Sequence, residues 1–155
     1  MIPAINLLKK NKCDFKIHKY DHDPECTNFG DEAVEKLGLD ANQVYKTLLV
    51  ELTPRELVVC VLPVANQLLL KEVASVFDVK KAVMASKDEA QKVTGYLLGG
   101  ISPLGQKKVH RTVLDESVNA FKTIFISGGK RGVDIEVNPN DLKKLLNAKI
   151  GKIVS

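Results

Sequence analysis

Tryptophan is absent from this 155-residue chain, and its five Phe and three Tyr are scattered rather than interleaved with Lys and Arg. A sequence-independent single-strand binder built on stacking platforms is therefore not expected. Cysteine is scarce and odd in number (Cys13, Cys26 and Cys60), with no CxxC spacing. This argues against a disulfide framework and for a reduced, cytoplasmic setting. No apolar run approaches a membrane span, and Met1-Ile2-Pro3-Ala4 does not read as the start of a signal peptide. Linkers, repeats and composition breaks are missing as well. The expectation is one domain over residues 1–155, large enough to bury a core without disulfides or metal. Charge is thin: a net +4 permits contact with a phosphate backbone without demanding it.

What is present is a mixture of strand and helix patterns. Pro3 followed by Ile5, Leu7 and Leu8 starts a short helix, and Phe15 to Tyr20 alternates like a strand. Turn residues make Asp21 to Asn28 a loop. A helix follows from about Gly30, with Asp31 and Glu32 in its first turn, and stops at Gly38. Lys46–Leu52 and Glu56–Leu62 read as a hairpin around Thr53-Pro54-Arg55. Leu68–Phe77 is helical, Lys81–Met84 a short strand, and Ser86 caps a helix to about Val93. Strands are expected at Lys108–Leu114, Thr123–Ser127, Val133–Val137 and Ile150–Val154, with a helix over Pro139–Leu146 capped by Asn138. Hairpins mixed with helices point to a mixed sheet with helices around it rather than regular βαβ repeats.

Two features carry chemistry. Gly99-Gly100-Ile101-Ser102-Pro103-Leu104-Gly105 is a stiff loop where backbone approaches a ligand closely. Lys46 opens an otherwise apolar strand, which places its ammonium where apolar structure begins. A backbone cradle with a partly desolvated cation suits an anionic or carbonyl-bearing ligand.

Other motifs carry less. Ser127-Gly128-Gly129-Lys130-Arg131-Gly132 imitates a phosphate-binding fingerprint, but Ser127, Ile124 and Arg131 occupy positions those motifs reserve for Gly, Gly and Ser/Thr. A strand follows it where a helix is required, so it reads as a glycine-rich turn. Ser102 is a poor nucleophile, because Pro103 lacks the N–H that the nucleophile-elbow oxyanion hole uses. The Asp21-His22-Asp23-Pro24-Glu25-Cys26 loop fits no zinc or calcium spacing, so no metal is expected. Cys60 reads as a buried apolar residue.

Taken in order along the chain, Tyr20-Asp21-His22-Asp23-Pro24, Phe29-Gly30-Asp31-Glu32-Ala33, Lys46-Thr47-Leu48-Leu49-Val50 and Thr94-Gly95-Tyr96, with the 99–105 and 127–132 segments, resemble the YbaK family. Its members are free-standing relatives of the prolyl-tRNA synthetase editing domain. The resemblance runs nearly end to end and implies a compact α/β (α+β-like) domain with a mixed, curved sheet and surrounding helices. It also implies a hydrolase of mischarged tRNA for proline, with no cofactor. Tyr20, Phe29, Lys46 and Thr47 resemble the cysteine-specific type, in which the substrate's own thiol attacks the ester. In that scheme Lys46 orients the carbonyl or the terminal ribose. Gly100, Ile101 and Ser102 donate backbone hydrogen bonds, and Gly128, Gly129 and Asp134 close the other side of the pocket. Lys107, Lys108, His110, Arg111, Lys130 and Arg131 are candidate phosphate contacts. The implied partners are mischarged tRNA(Pro) and prolyl-tRNA synthetase, in a ternary complex, with no membrane. Alternatives left open are an alanyl or seryl ester as substrate, a non-catalytic tRNA- or synthetase-binding module, and a Schiff-base lysine enzyme.

Overall fold

The apolar run Leu57–Leu62 is the key to the architecture, because its side chains alternate between two separate cores. Val59 and Val61 belong to one cluster, and Val58, Cys60 and Leu62 to the other. A strand apolar on both faces has to lie in a covered sheet. In the computed structural model, which describes residues 2–155, this strand is the centre of three layers.

The elements in chain order are α1 (Pro3–Lys10), β1 (Phe15–Lys19), α2 (Phe29–Leu37), β2 (Tyr45–Leu52), β3 (Glu56–Pro63), α3 (Leu70–Val76), β4 (Ala82–Met84), α4 (Lys87–Thr94), β5 (Thr112–Asp115), β6 (Ile124–Lys130), β7 (Val133–Val137), α5 (Pro139–Leu146) and β8 (Lys149–Gly151). A 3-10 turn at Glu116–Ala120, not foreseen from sequence, follows β5. The expected mixed sheet is divided in two. A five-stranded sheet runs β4-β2-β3-β5-β8, and a three-stranded antiparallel sheet runs β1-β7-β6. In the larger sheet β2 pairs antiparallel with β3 and β4, whereas β3–β5 and β5–β8 are parallel. One face of the larger sheet packs on α3 through Val73, Ala74 and Phe77. The other packs on Ile124, Ile126, Ile135 and Val137 of the smaller sheet, with Leu8 of α1 and Leu142 of α5 filling the space between. A parallel bridge from Val44 to Phe125 joins the two sheets just before β2. Among the described residues no helix is long and apolar enough to cross a membrane.

Local chemistry explains most boundaries. Gly38 ends α2 in the left-handed region at φ 64°. The Ser86 side chain accepts from the Glu89 N–H at 3.1 Å, and Asn138 accepts from the Asn140 N–H at 2.8 Å. The strand expected from Lys108 begins only at Thr112, because the N–H groups of Lys107 and Lys108 donate instead to Thr94 and Val93 at the end of α4. The final strand is Lys149–Gly151, and Val154 bridges back to Leu68. β6 continues past Ser127 because the register to β7 breaks there: Ser127 pairs with Asp134 and Lys130 with Val133. Gly128 and Gly129 form the resulting bulge.

Gly105 sits at φ +67°, and an added Cβ would meet the Pro3 carbonyl carbon at 2.7 Å. Both the backbone conformation and the contact with α1 exclude a side chain. Gly105→Ala is expected to lower unfolding free energy by roughly 2–4 kcal/mol, measured by denaturant titration.

Candidate active site

The start of β2 emerges at the junction of the two sheets, and a cleft of about 400 Å³ opens there. Its walls are Val44 to Leu48 of the β2 entry, Asn28 to Asp31 at the start of α2, Leu98, Gly99 and Ile101 of the glycine loop, and Ser127 with Asp134 of the β6–β7 hairpin. Tyr20, one residue beyond β1, and Lys87, first residue of α4, complete the rim. The structure therefore brings Tyr20, Phe29, Lys46, Thr47, Ile101 and Asp134 together from five separate segments.

Gly100, Ser102, Gly128 and Gly129 do not line this cleft. Gly100 is pressed against the Lys130 backbone, where a Cβ would stand 3.0 Å from the Lys130 Cα. Its N–H donates to the Leu97 carbonyl at 3.0 Å and is not free for a ligand. Ser102 is fully buried, and its Oγ accepts from the Leu104 N–H at 3.2 Å, which suits a turn and not a nucleophile. An added Cβ on Gly128 would meet Val133 at 2.6 Å, and one on Gly129 would meet Ile2 at 2.6 Å. These glycines shape the hairpin behind the cleft wall. The N–H groups of Ile101 and Ser102, by contrast, donate to no protein acceptor among the described residues.

Among the described residues the cleft's charged groups form no ion pairs. Lys46 is half-buried and forms no ion pair among the described residues. Next to it, the Thr47 hydroxyl is buried without a hydrogen-bond partner, which normally costs about 1–3 kcal/mol. Across the cleft, Asp134 is 6% exposed and accepts no hydrogen bond from any described residue. Burial pushes its carboxyl up to about 7. The Tyr20 phenol is raised to about 12, by burial first and then by the charges of Asp134 and Glu32, so it stays a proton donor.

A second buried carboxylate has the opposite surroundings. Glu32, in the first turn of α2, is 5% exposed. It accepts from His22 Nδ1 at 2.6 Å and from the Asp23 N–H at 2.8 Å, and Lys36 Nζ lies 3.2 Å away. Burial alone would raise its pKa; the bonds from His22, Asp23 and Lys36 overcome this and hold it at about 2. Lys36 also donates to the Asp21 carbonyl. The acidic loop Asp21–Cys26 is thus folded around one carboxylate of its own chain, and no group of His, Cys, Asp and Glu among the described residues is placed to hold a metal. The clamp positions Phe29, whose ring lies 5.9 Å from that of His22.

The basic residues divide. Arg111 bonds Glu56 twice at 2.7 Å and covers Phe77. Glu56 lies at the turn end of the β2–β3 hairpin, opposite the Tyr45–Pro63 end that borders the cleft. That is about 20–25 Å away at strand rise. Arg131, in contrast, lies over the Phe29 ring at 4.8 Å, on the cleft rim.

Residues 23–145 match the family profile described as the aminoacyl-tRNA editing domain. The chain belongs to this family, the YbaK family. It is 30% identical over 152 residues to EbsC of Enterococcus faecalis, named as a candidate Cys-tRNA(Pro)/Cys-tRNA(Cys) deacylase, covering 98% of this chain and 92% of that one. Among solved structures, the hypothetical protein APE2540 superposes with a TM-score of 0.87 at 20% identity, over 99% of both chains. A candidate trans-editing enzyme for prolyl-tRNA synthetase superposes with a TM-score of 0.81 at 19% identity, over 100% of this chain and 99% of that one. By class the protein is an aminoacyl-tRNA deacylase.

Within this editing domain, sequence reasoning passed over Ser127, Lys87 and the Glu32–His22 clamp. Ser127 and Glu32 both stood inside quoted motifs. Glu32 was read only as a helix-dipole acid, and nothing local signals its burial. The raised Asp134 carboxyl carries a stability signature. A carboxyl raised in the folded state favours folding below its unfolded value near 3.9, and that contribution is lost as pH climbs to about 7. Asp134→Asn is therefore expected to stabilise the fold at pH 8 by roughly 2–4 kcal/mol and to change it little at pH 4, read from thermal melts at both pH values.

Proposed function

We propose that this protein is a trans-acting deacylase that clears cysteine from Cys-tRNA(Pro). The observation that carries the reading is the cleft itself. It joins a free ammonium at Lys46 to a buried, unbonded carboxyl at Asp134, while neither Ser102 nor the cleft-lining Ser127 is hydrogen-bonded to a base among the described residues: the Ser127 Oγ accepts only from the Gly129 N–H, at 3.3 Å. Ser102 is closed off, and Cys60 is fully buried with its thiol pushed up to about 12 by burial. Cysteine as the acyl group is further supported by the 30% identity to EbsC.

A substrate with its own nucleophile resolves the missing side chain. The cysteinyl thiol attacks the ester carbon; a C–S bond forms, the C–O bond to the terminal ribose breaks, and the thiol proton ends on the ribose oxygen. The product is a thiolactone, which water opens. Such an intramolecular attack needs mainly positioning. Asp134 takes the α-ammonium and recovers the charge that burial suppresses. Lys46 holds the ester or ribose oxygens. The Ile101 N–H, which is unbonded among the described residues, faces the oxygen that gains charge, taking the role first expected of Gly100, Ile101 and Ser102 together. Thr47 gives its unpartnered hydroxyl to the same ligand. Alanine and proline esters fit but have no thiol, so they survive.

The reading of tRNA(Pro) as the carrier, with prolyl-tRNA synthetase as partner, follows the neighbour named for trans-editing. The small cleft takes the aminoacylated end, and a synthetase bound to the same tRNA supplies discrimination of the tRNA body.

Deacylation of Cys-tRNA(Pro), Cys-tRNA(Cys), Ala-tRNA(Pro) and Pro-tRNA(Pro) at low enzyme is the test. The expected result is multiple-turnover loss of the cysteinyl esters alone, with Lys46→Ala lowering kcat/KM at least about 100-fold and leaving the melting temperature unchanged. Loss of the alanyl ester instead, or an active Lys46→Ala protein, overturns the assignment. The pH profile adds a second check: kcat/KM for the cysteinyl ester rises with pH up to about 7 as Asp134 ionises, and Asp134→Asn abolishes that limb.

A further inference from the structure

Phe29 has no ring face left to offer a ligand freely. An added Cβ on Gly99 would stand 2.6 Å from the ring, the His22 ring is tilted against it at 5.9 Å, and the Arg131 guanidinium lies over it at 4.8 Å. Arg131 is itself pinned, because its Nε donates to the Leu98 carbonyl at 2.7 Å. Both anchors, Phe29 and Leu98, are cleft-lining residues, yet Arg131 remains exposed. The side chain is therefore a planar cation fixed at the rim beside an aromatic ring, and it remains exposed to solvent. Leu97, beside the anchor, is 67% exposed and adds apolar surface at the same rim.

We propose that Arg131 is the stacking platform for the 3′-terminal adenine of the tRNA. The proposal rests on the deacylase reading, since it places the nucleoside that bears the ester. Guanidinium planes stack on nucleobases, and a pre-fixed plane loses little freedom on doing so. A phosphate contact would need only the charge, and Lys130 beside it already supplies one; what a lysine lacks is the plane. Stacked there, the adenine lies outside the cleft while its ribose reaches over the Phe29 rim toward Lys46.

The test uses uncharged ligands, so its outcome does not depend on which ester is cleaved. Affinities of a CCA trinucleotide and of the same trinucleotide with an abasic 3′ residue are measured by NMR titration on the wild-type protein and on Arg131→Lys. Thermal melts establish that the variant is folded. The expected result is that the wild type binds CCA about tenfold more tightly than the abasic form, and that Arg131→Lys binds both at the abasic level. Full CCA affinity in Arg131→Lys would show that charge alone suffices and overturn the proposal. An equal loss for both ligands would make Arg131 a structural strap, and a wild type blind to the base would also overturn it. Turnover of Cys-tRNA(Pro), measured alongside, reports separately on the deacylase reading.

Discussion

Burial of β3 on both faces is the constraint from which the remaining geometry follows. Because Val58, Cys60 and Leu62 need one cover and Val59 and Val61 another, α3 and the β1-β7-β6 sheet are drawn to opposite sides. β2 is carried along as the hairpin partner of β3, residue for residue from Leu52–Glu56 to Tyr45–Pro63. Its first residues then lie where the two sheets meet, tied by the Val44–Phe125 bridge. A lysine at that point lies half-buried among three walls instead of on an open edge. The catalytic proposal for Lys46 begins with this placement and not with any special chemistry of the residue.

Two buried carboxylates near Tyr20 show how environment divides labour. Glu32 is saturated by donors of its own loop and stays ionised. Asp134 has no such donors, and burial raises its carboxyl to about 7. The first therefore serves folding of the loop that presents Tyr20 and Phe29. The second is an unmet demand for a cation, which a ligand satisfies. The energy withheld from the fold at Asp134 is available on binding.

Helices with caps and the apolar hairpin were legible in the sequence, since Gly38, Ser86 and Asn138 act within a few residues of their own position. The division into two sheets was not, because strand order depends on pairings between residues more than a hundred positions apart, such as Phe15 with Val137. Lys46 stood out as the cation that opens an apolar strand, and Thr47, Tyr20, Phe29 and Asp134 through motif resemblance; all five line the cleft. The glycines beside them were misplaced for one shared reason. Gly100, Gly128 and Gly129 mark close backbone approach, which sequence cannot assign to a ligand rather than to the protein's own Lys130, Val133 or Ile2.

The bulge at Gly128–Gly129 has a consequence for how this hairpin tolerates change. Side chains along a strand alternate, so two extra residues keep the inward and outward positions on either side of the bulge in phase, Ser127 on the cleft wall and Lys130 exposed. Hairpin length is therefore a parity bit for the cleft. A gain or loss of one residue reverses the assignment of wall and rim, while a change of two restores it. Among chains of this architecture, indels in this turn carry more information about what the cleft holds than substitutions of equal number elsewhere on the surface.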